Sequence, residues 1–168
     1  LSCKMDTRAR SSSNYRRIQR FVARFRIGQA ILAKWILQKI CPDEDSRVVL
    51  TMDRTNWKFG KSNINYLVLA VCYKGMAIPM FWTLFTKRGN SATEERKELI
   101  KRFIKTFGAH RIDCILGDRE FIGQDWQGWL IEEEIPFYFR VRNDARVTIK
   151  GKEIKASNLF RKLNVGEM

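Results

Sequence analysis

Apolar residues near the start of the chain recur at intervals of three and four positions, which is the spacing of an amphipathic helix. Ser13 or Asn14 is placed to cap a first helix over residues 14–27, and Gly28 interrupts the pattern. A second helix is predicted from there to residue 40. The apolar faces predicted for these two helices are Ile18, Phe21, Val22 and Phe25, and then Ile31, Leu32, Trp35, Ile36 and Ile40.

Further along, short apolar runs separated by turns predict strands, and helical spacing then returns between the later strands. Lys74-Gly75 forms a tight hairpin turn, and Pro79 demotes the run behind it to an edge strand or a bulge. Ser91 and Glu94 form a capping box for a third helix, which ends before Gly108. The predicted strands are 47–54, 63–73, 76–85, 112–117 and 137–141, and a fourth helix covers 122–134. The residues predicted to face the core from the third and fourth helices are Leu99, Ile100, Phe103, Ile104 and Phe107, and Trp126, Trp129 and Leu130.

The order of these elements, β-β-β-α-β-α-β, predicts an α/β fold with a mixed sheet and an N-terminal helical segment ahead of it. Three antiparallel strands come first, and helix-linked strands follow them. If the fourth strand lies parallel to the first, the carboxyl ends of both strands meet at one edge of the sheet. That edge is where α/β folds place their chemistry.

Two aspartates stand at that edge, because the run from Val48 ends on Asp53 and the run from Ile112 ends on Asp118. A buried unpaired carboxylate is costly, so such residues need partners. One interpretation is a site for one or two Mg²⁺ ions that handle phosphate. The other is structural: Asp53 pairs with an arginine, and Asp118 caps the helix behind it. The candidate arginines are Arg54, Arg119 and Arg140.

Glu120, two residues after Asp118, is interpreted either as a third ligand or as a helix-start or ion-paired carboxylate. Asn56, Trp57 and Lys58 follow Asp53, and they either contact a DNA strand or, in the case of Trp57, cover the core. The turn around Lys87–Ser91 either receives a phosphate or is an ordinary solvated turn. The single histidine offers no nucleophilic triad, and the chain has no P-loop.

Charge narrows the class of partner. The 168 residues carry a net charge of +14, and residues 1–40 contribute ten basic residues against one acid. This asymmetry favours a polyanion such as nucleic acid, with a membrane surface as the competing interpretation. On the first helix, Arg16, Arg17, Arg20 and Arg24 are the candidate DNA contacts. No apolar run is long enough to span a bilayer, and the four cysteines lack the spacing of a zinc site, which fits a reducing cytosol.

Three longer motifs add a resemblance. The segments Asp53–Gly60, Lys87–Ser91 and Gly117–Phe121 resemble bacterial DDE transposases of the insertion-sequence-four group, and Tyr15–Phe21 is similar to the region upstream of their catalytic domain. The likeness covers most of residues 14–142. It implies a ribonuclease H-like core that uses Mg²⁺ or Mn²⁺ for phosphoryl transfer. Asp53 and Asp118 match the family's first two acids, whereas its third acid, a glutamate on a late helix, has no match.

The resemblance therefore implies a C-terminally truncated transposase acting at transposon DNA ends, inactive by itself for lack of the third carboxylate. The alternative is a catalytically silent protein that binds DNA through its arginine-rich helix. The expected organisation is a basic helical segment over 1–42, an incomplete catalytic core over 43–145, and the start of a β-rich insertion over 146–168. The expected partners are double-stranded DNA and a second copy of the chain, and no membrane is expected among them. The expected location is the bacterial cytoplasm, at the nucleoid.

Overall fold

A computed structural model of the protein describes residues 10–24, 28–60, 62–85, 89–142 and 144–161. Its elements alternate in the predicted order, with a small hairpin added after the main sheet. The helices are α1 (Ser11–Arg24), α2 (Gln29–Ile40), α3 (Thr93–Phe107), α4 (Gln124–Glu132) and α5 (Ala156–Leu159). The strands are β1 (Val48–Phe59), β2 (Ser62–Tyr73), β3 (Met76–Phe85), β4 (Ile112–Gly117), β5 (Phe137–Phe139), β6 (Arg146–Ile149) and β7 (Lys152–Lys155).

The main sheet has five strands in the order β3-β2-β1-β4-β5. The first three strands form an antiparallel meander, while β4 runs parallel to β1 and β5 runs parallel to β4. Lys74 and Gly75 both take positive φ, which gives the tight turn between β2 and β3 a twist that suits a hairpin. The register of β2 against β3 shifts beside Pro79, as a bulge there requires. The predicted fold class, an α/β fold with a mixed sheet of three antiparallel strands followed by helix-linked strands, is confirmed by these strand directions.

The hydrophobic core lies against one face of this sheet. Along β1, Leu50 and Met52 are buried, whereas Asp53 on the opposite face is exposed. The core cluster draws its β1, β2 and β4 residues from the face of Leu50, and it includes side chains from α2, α3 and α4. The other face of the sheet contributes none of the buried residues in this cluster. Asp53 therefore belongs to the open face.

The predicted core faces of α3 and α4 are confirmed. Leu99, Ile100 and Phe103 of α3 are fully buried, with Ile104 and Phe107 partly buried beside them, and Trp126, Trp129 and Leu130 are buried on α4. The predicted capping box is wrong in its residues. The Glu95 carboxylate accepts a hydrogen bond of 2.7 Å from the Ala92 N–H, while Glu94 pairs with Lys97. The Ser91 hydroxyl accepts a bond from Arg96, so it is unavailable as the cap.

The two N-terminal helices differ from prediction in detail. α1 already begins at Ser11, so Ser13 and Asn14 lie inside the helix and do not cap it. The predicted end of this helix at residues 25–27 lies outside the described residues. On α2, Ala33, Ile36 and Leu37 are buried, and of these the sequence predicted Ile36. Leu32 and Ile40, also predicted for this face, pack partly buried against the core. Ile31 and Trp35 are 74% and 59% exposed, so assigning them to the buried face was wrong.

Gln29 explains the orientation of α2. Its side-chain Nε2 donates to the Trp82 carbonyl at 3.0 Å, and its Oε1 accepts from the Trp82 N–H at 3.1 Å. The amide thus satisfies a backbone donor and acceptor of β3, which stabilises the helix start against that strand. Residues one, two and three turns later, including Ala33 and Leu37, then face the core. α2 consequently packs on the sheet as part of the main core, while the predicted boundary at residue 42 stays a prediction.

Candidate functional site

Asp53 and Asp118 lie side by side where β1 and β4 part. The parallel register of these strands ends with Met52 opposite Gly117, and the next residue on each chain is one of the two aspartates. Adjacent strands are about 4.8 Å apart, so the two backbones are neighbours here. This register agrees with the expectation that the two aspartates lie next to each other, but the prediction that Asp53 ends its strand is wrong. β1 continues to Phe59, paired with β2, after β4 has ended.

The two carboxylates differ in their hydrogen bonding. Asp118 Oδ1 accepts a hydrogen bond of 2.9 Å from the Glu120 N–H, so Asp118 caps the 3₁₀ turn of residues 119–121. It does not cap the helix α4, as the structural interpretation had it, because α4 begins after Gly123. Both aspartates are exposed. The Asp53 carboxylate forms no hydrogen bond or ion pair with any residue that the structure describes, so the alternative in which it pairs with Arg54, Arg119 or Arg140 is not formed there.

The carboxylates of Asp53 and Asp118 could supply some of the ligands of a hard divalent cation. Mg²⁺ prefers carboxylate oxygens and retains several water molecules, and two adjacent exposed carboxylates leave room for them. Within the described ranges, no cluster of three or more acidic, histidine or cysteine side chains is placed to hold a metal ion. The residues present therefore fit a cation held through two carboxylates, with the rest of its shell open.

Glu120 is engaged elsewhere. Its carboxylate accepts hydrogen bonds from Arg54 Nε at 2.8 and 3.1 Å and from Arg54 Nη2 at 2.8 Å, which is a two-pronged ion pair. The side chains are only 11% and 19% exposed. The interpretation of Glu120 as an ion-paired carboxylate is confirmed, and the extended geometry that would have made it a third ligand is absent. Residues 119–121 instead form a 3₁₀ turn.

The acidic groups around Arg54 raise its pKa. The hydrogen bonds to Glu120 are the largest influence that raises the pKa of Arg54, and the nearby charges of Glu120, Asp118 and Asp53 raise it further. Arg54 therefore stays protonated and offsets the repulsion between the two aspartates. Because side chains alternate along a strand, Arg54 itself points away from Asp53, to the core face of β1.

A second arginine stabilises the same turn from the helix side. Arg96 of α3 is 5% exposed, and it donates to the Ser91 hydroxyl at 2.8 Å, the Ser91 carbonyl at 2.9 Å and the Glu120 carbonyl at 3.2 Å. Its guanidinium carbon lies 5.1 Å from the centre of the Phe121 ring. Burial lowers the pKa of Arg96, and the charge of Glu120 opposes this shift.

The loop before α3 joins this network. Arg54 donates from Nη1 to the Gly89 carbonyl at 3.1 Å and from Nη2 to Asn90 Oδ1 at 3.3 Å. Buried Asn65 on β2 also donates to the Gly89 carbonyl, at 2.9 Å. The described part of the predicted phosphate turn is thus engaged with the protein itself, while Lys87 and Arg88 lie outside the described residues.

A cleft of about 750 Å³ opens beside Asp118. Three exposed arginines line it, Arg119, Arg140 and Arg142, together with Val141 and Asp144. The sequence reasoning did not identify this basic lining. The alternating arginines after β5 could have revealed this lining. β5 pairs parallel to β4 and therefore ends at the same edge as Asp118.

The predicted DNA-contacting residues lie on two separate elements. Arg16, Arg17, Arg20 and Arg24 are exposed on α1. Asn56 and Lys58 are exposed on the part of β1 that extends past β4. The Trp57 side chain lies outside the described part of the structure. No helix among the described residues has the length and apolarity to cross a membrane.

No protein family profile matches the chain, and no curated protein sequence matches it. Among solved structures, the catalytic core domain of HTLV-2 integrase with magnesium is similar in a trimeric form (16% identity, TM-score 0.43) and a dimeric form (17%, 0.42). Each match covers 56% of this chain, and 60% and 61% of the respective integrase chains.

A chain of the simian T-cell lymphotropic virus intasome, in complex with PP2A regulatory subunit B56 gamma, is 14% identical with a TM-score of 0.45. That match covers 60% of this chain and 34% of the intasome chain. This protein therefore spans less than two thirds of each of these chains. At such identities and TM-scores, the likeness is a partial one of backbone arrangement.

Proposed function

We propose that this chain is the catalytic core of a DNA transposase of the insertion-sequence-four group, built for divalent-metal-dependent phosphoryl transfer at transposon ends. The observation that carries the proposal is the register of β1 and β4, which brings Asp53 and Asp118 together at one edge of the sheet. The sequence motifs around both aspartates support it. The arginine-lined cleft next to Asp118 and the net charge of +14 favour a polyanionic substrate.

In this proposal, each residue has a limited role. Asp53 and Asp118 hold Mg²⁺ or Mn²⁺, which when bound activates a hydroxyl group and stabilises charge on the leaving oxygen. Arg119, Arg140 and Arg142 hold the sugar-phosphate backbone next to the carboxylates. With two carboxylates only, we expect weak metal binding and a rate far below that of a complete three-carboxylate site. Double-stranded DNA and a second copy of the chain are the proposed partners, at the bacterial nucleoid.

Metal binding tests the site directly. Mn²⁺ binding followed by electron paramagnetic resonance should weaken at least tenfold in Asp53→Asn and in Asp118→Asn, since each removes one of two charged ligands. Asp113→Asn is the matched control, because Asp113 is exposed at the opposite end of β4. Equal Mn²⁺ binding by all three variants would refute the metal site. Mn²⁺-dependent nicking of supercoiled DNA that survives Asp53→Asn would contradict the catalytic assignment.

The second candidate function is DNA binding without catalysis, favoured by the exposed arginines of α1. Substitution of Arg17, Arg20 and Arg24 by Gln should reduce the slope of log affinity against log salt concentration by about 0.9 for each lost phosphate contact. Lys74→Gln, on the exposed β2–β3 turn, should leave the slope unchanged. DNA binding that depends on these arginines, in a protein that binds no Mn²⁺, would favour this candidate over the first.

A further inference from the structure

Beyond Met52 and Gly117, β1 and β4 are no longer paired, so some other contact must hold the two aspartates at one level. Two backbone chains that part at a sheet edge are free to diverge unless side chains join them. The turn that carries Asp118, residues 118–121, is short, with Asp118 and Arg119 exposed and Phe121 buried. Its position relative to β1 is the quantity that fixes the separation of the carboxylates.

We infer that Arg54 and Glu120 are a positioning pair, which holds the Asp118 turn against β1 and so sets the spacing of the two carboxylates. A continuous set of bonds joins the two aspartates. Asp53 and Arg54 are neighbours in the chain, and Arg54 donates to the Glu120 carboxylate from Nε and Nη2. The Glu120 N–H in turn donates to Asp118 Oδ1. The inference deepens the proposed function and rests on it for the metal that the spacing serves.

The pair has the burial and rigidity that this role needs. Both side chains are less than one fifth exposed, and the planar guanidinium meets the carboxylate in two parallel contacts, which restrict rotation as well as distance. Arg96 holds the Glu120 carbonyl from the other side. Arg54 also donates to Gly89 and Asn90, so its guanidinium is held between the Asp118 turn and the loop before α3.

The sign of one measurement separates positioning from plain electrostatics. Arg54→Met removes a positive charge beside a cation site, so charge alone predicts tighter Mn²⁺ binding. Loss of positioning predicts weaker binding, by the 10- to 100-fold, roughly, that outer contacts of metal sites typically contribute. Glu120→Gln should also weaken binding. Arg54→Lys keeps the charge but not the two-pronged contact, and should fall between the natural protein and Arg54→Met.

Arg146→Met is the matched control, because Arg146 forms an ion pair with Glu153 on the β6–β7 hairpin, with both side chains more than half exposed. It makes the same charge change outside the network and should leave Mn²⁺ affinity unchanged. The doubly exchanged variant Arg54→Glu with Glu120→Arg should recover part of the lost affinity. Circular dichroism on each variant confirms that the compared proteins are folded.

A second readout does not depend on metal. The Glu120 amide donates to Asp118, so its hydrogen exchange, measured by NMR, reports whether the turn is held. We expect faster exchange in Arg54→Met than in the natural protein, and no change in Arg146→Met. Unchanged exchange, or Mn²⁺ binding that is equal or tighter in Arg54→Met, would overturn the inference. If the natural protein binds no Mn²⁺ yet Arg54→Met speeds this exchange, the metal proposal fails and the positioning pair stands.

Discussion

Gly117, the last residue of β4, has ring atoms of two phenylalanines where a β-carbon would lie. A Cβ there would stand 2.9 Å from Phe139 Cδ1, 3.0 Å from Phe139 Cε1 and 3.1 Å from Phe121 Cδ2. Ordinary contacts are 3.4–4 Å, so Gly117→Ala must displace at least one ring by several tenths of an ångström. Displacing either ring disturbs a packed contact, because Phe121 is fully buried and the partly buried Phe139 stacks on Phe137 at a centroid distance of 4.9 Å.

We therefore expect Gly117→Ala to lower the free energy of unfolding by about 1–3 kcal/mol, the usual cost of one methyl group too many in a packed site. For a chain of this size, each kcal/mol corresponds to roughly 2–4 °C in Tm. Urea unfolding followed by circular dichroism measures the difference. The matched control is Gly128→Ala in α4, where no atom beyond the adjacent residues and the helix's own backbone lies within 4 Å of the added carbon.

Gly128→Ala should change stability in the opposite direction, raising it by about 0.5–1 kcal/mol, because alanine restricts the unfolded chain and favours a helix. The two variants add the same methyl group, so their difference isolates the close approach at Gly117. Equal stability of Gly117→Ala and the natural protein would refute the packing described for this edge. A stabilised Gly117→Ala would show that the rings lie farther from β4.

Three further predictions concern the core and the thiols. Phe103→Ala should lower the free energy of unfolding by about 3–5 kcal/mol, whereas Phe160→Ala, at a position 57% exposed, should change it by less than about 0.5 kcal/mol in the same urea titration. Leu37→Ala should cost about 2–5 kcal/mol and Trp35→Gln less than about 0.5 kcal/mol, and a large loss in Trp35→Gln would contradict the orientation of α2. Burial raises the pKa of the Cys114 thiol, so its alkylation should begin at a higher pH than that of a free cysteine, and the stability due to its neutral form should be lost as the pH rises above about 9.

The sequence predicted most of the sheet because its signals are local. The apolar runs of β2 and β4 and the turn at Lys74 each identify an element without knowledge of the rest of the fold. The meeting of Asp53 and Asp118 needed only one assumption about strand direction, and the parallel register supports it. The core face of α3 was likewise predictable from helical spacing, because Leu99 and Phe103 recur at that interval, whereas the burial of Arg96 on the same face depends on its bonds to Ser91 and Glu120.

What the sequence did not reveal depends on contacts between distant segments. The pairing of Arg54 with Glu120 spans 66 positions, and local patterns do not specify it. The face of α2 depends on an amide that binds a β3 backbone 53 positions away, which outweighs the apolarity of Trp35. The length of β1 was underestimated because Arg54–Phe59 carries mixed polar and aromatic residues, and its strand conformation comes from pairing with β2.

The β1–β2 hairpin extends well past β4. β1 and β2 remain paired out to Phe59 and Ser62, beyond the last contact with β4 at Met52. Lys58 stands five residues from Asp53, or about 17 Å along an antiparallel strand. At 3.4 Å for each base step, that length is about five base pairs. Because side chains alternate along a strand, Lys58 lies on the face opposite to Asp53. A duplex on the Asp53 face therefore spans this length without meeting Lys58, and Lys58→Gln should leave footprint protection beside Asp53 unchanged.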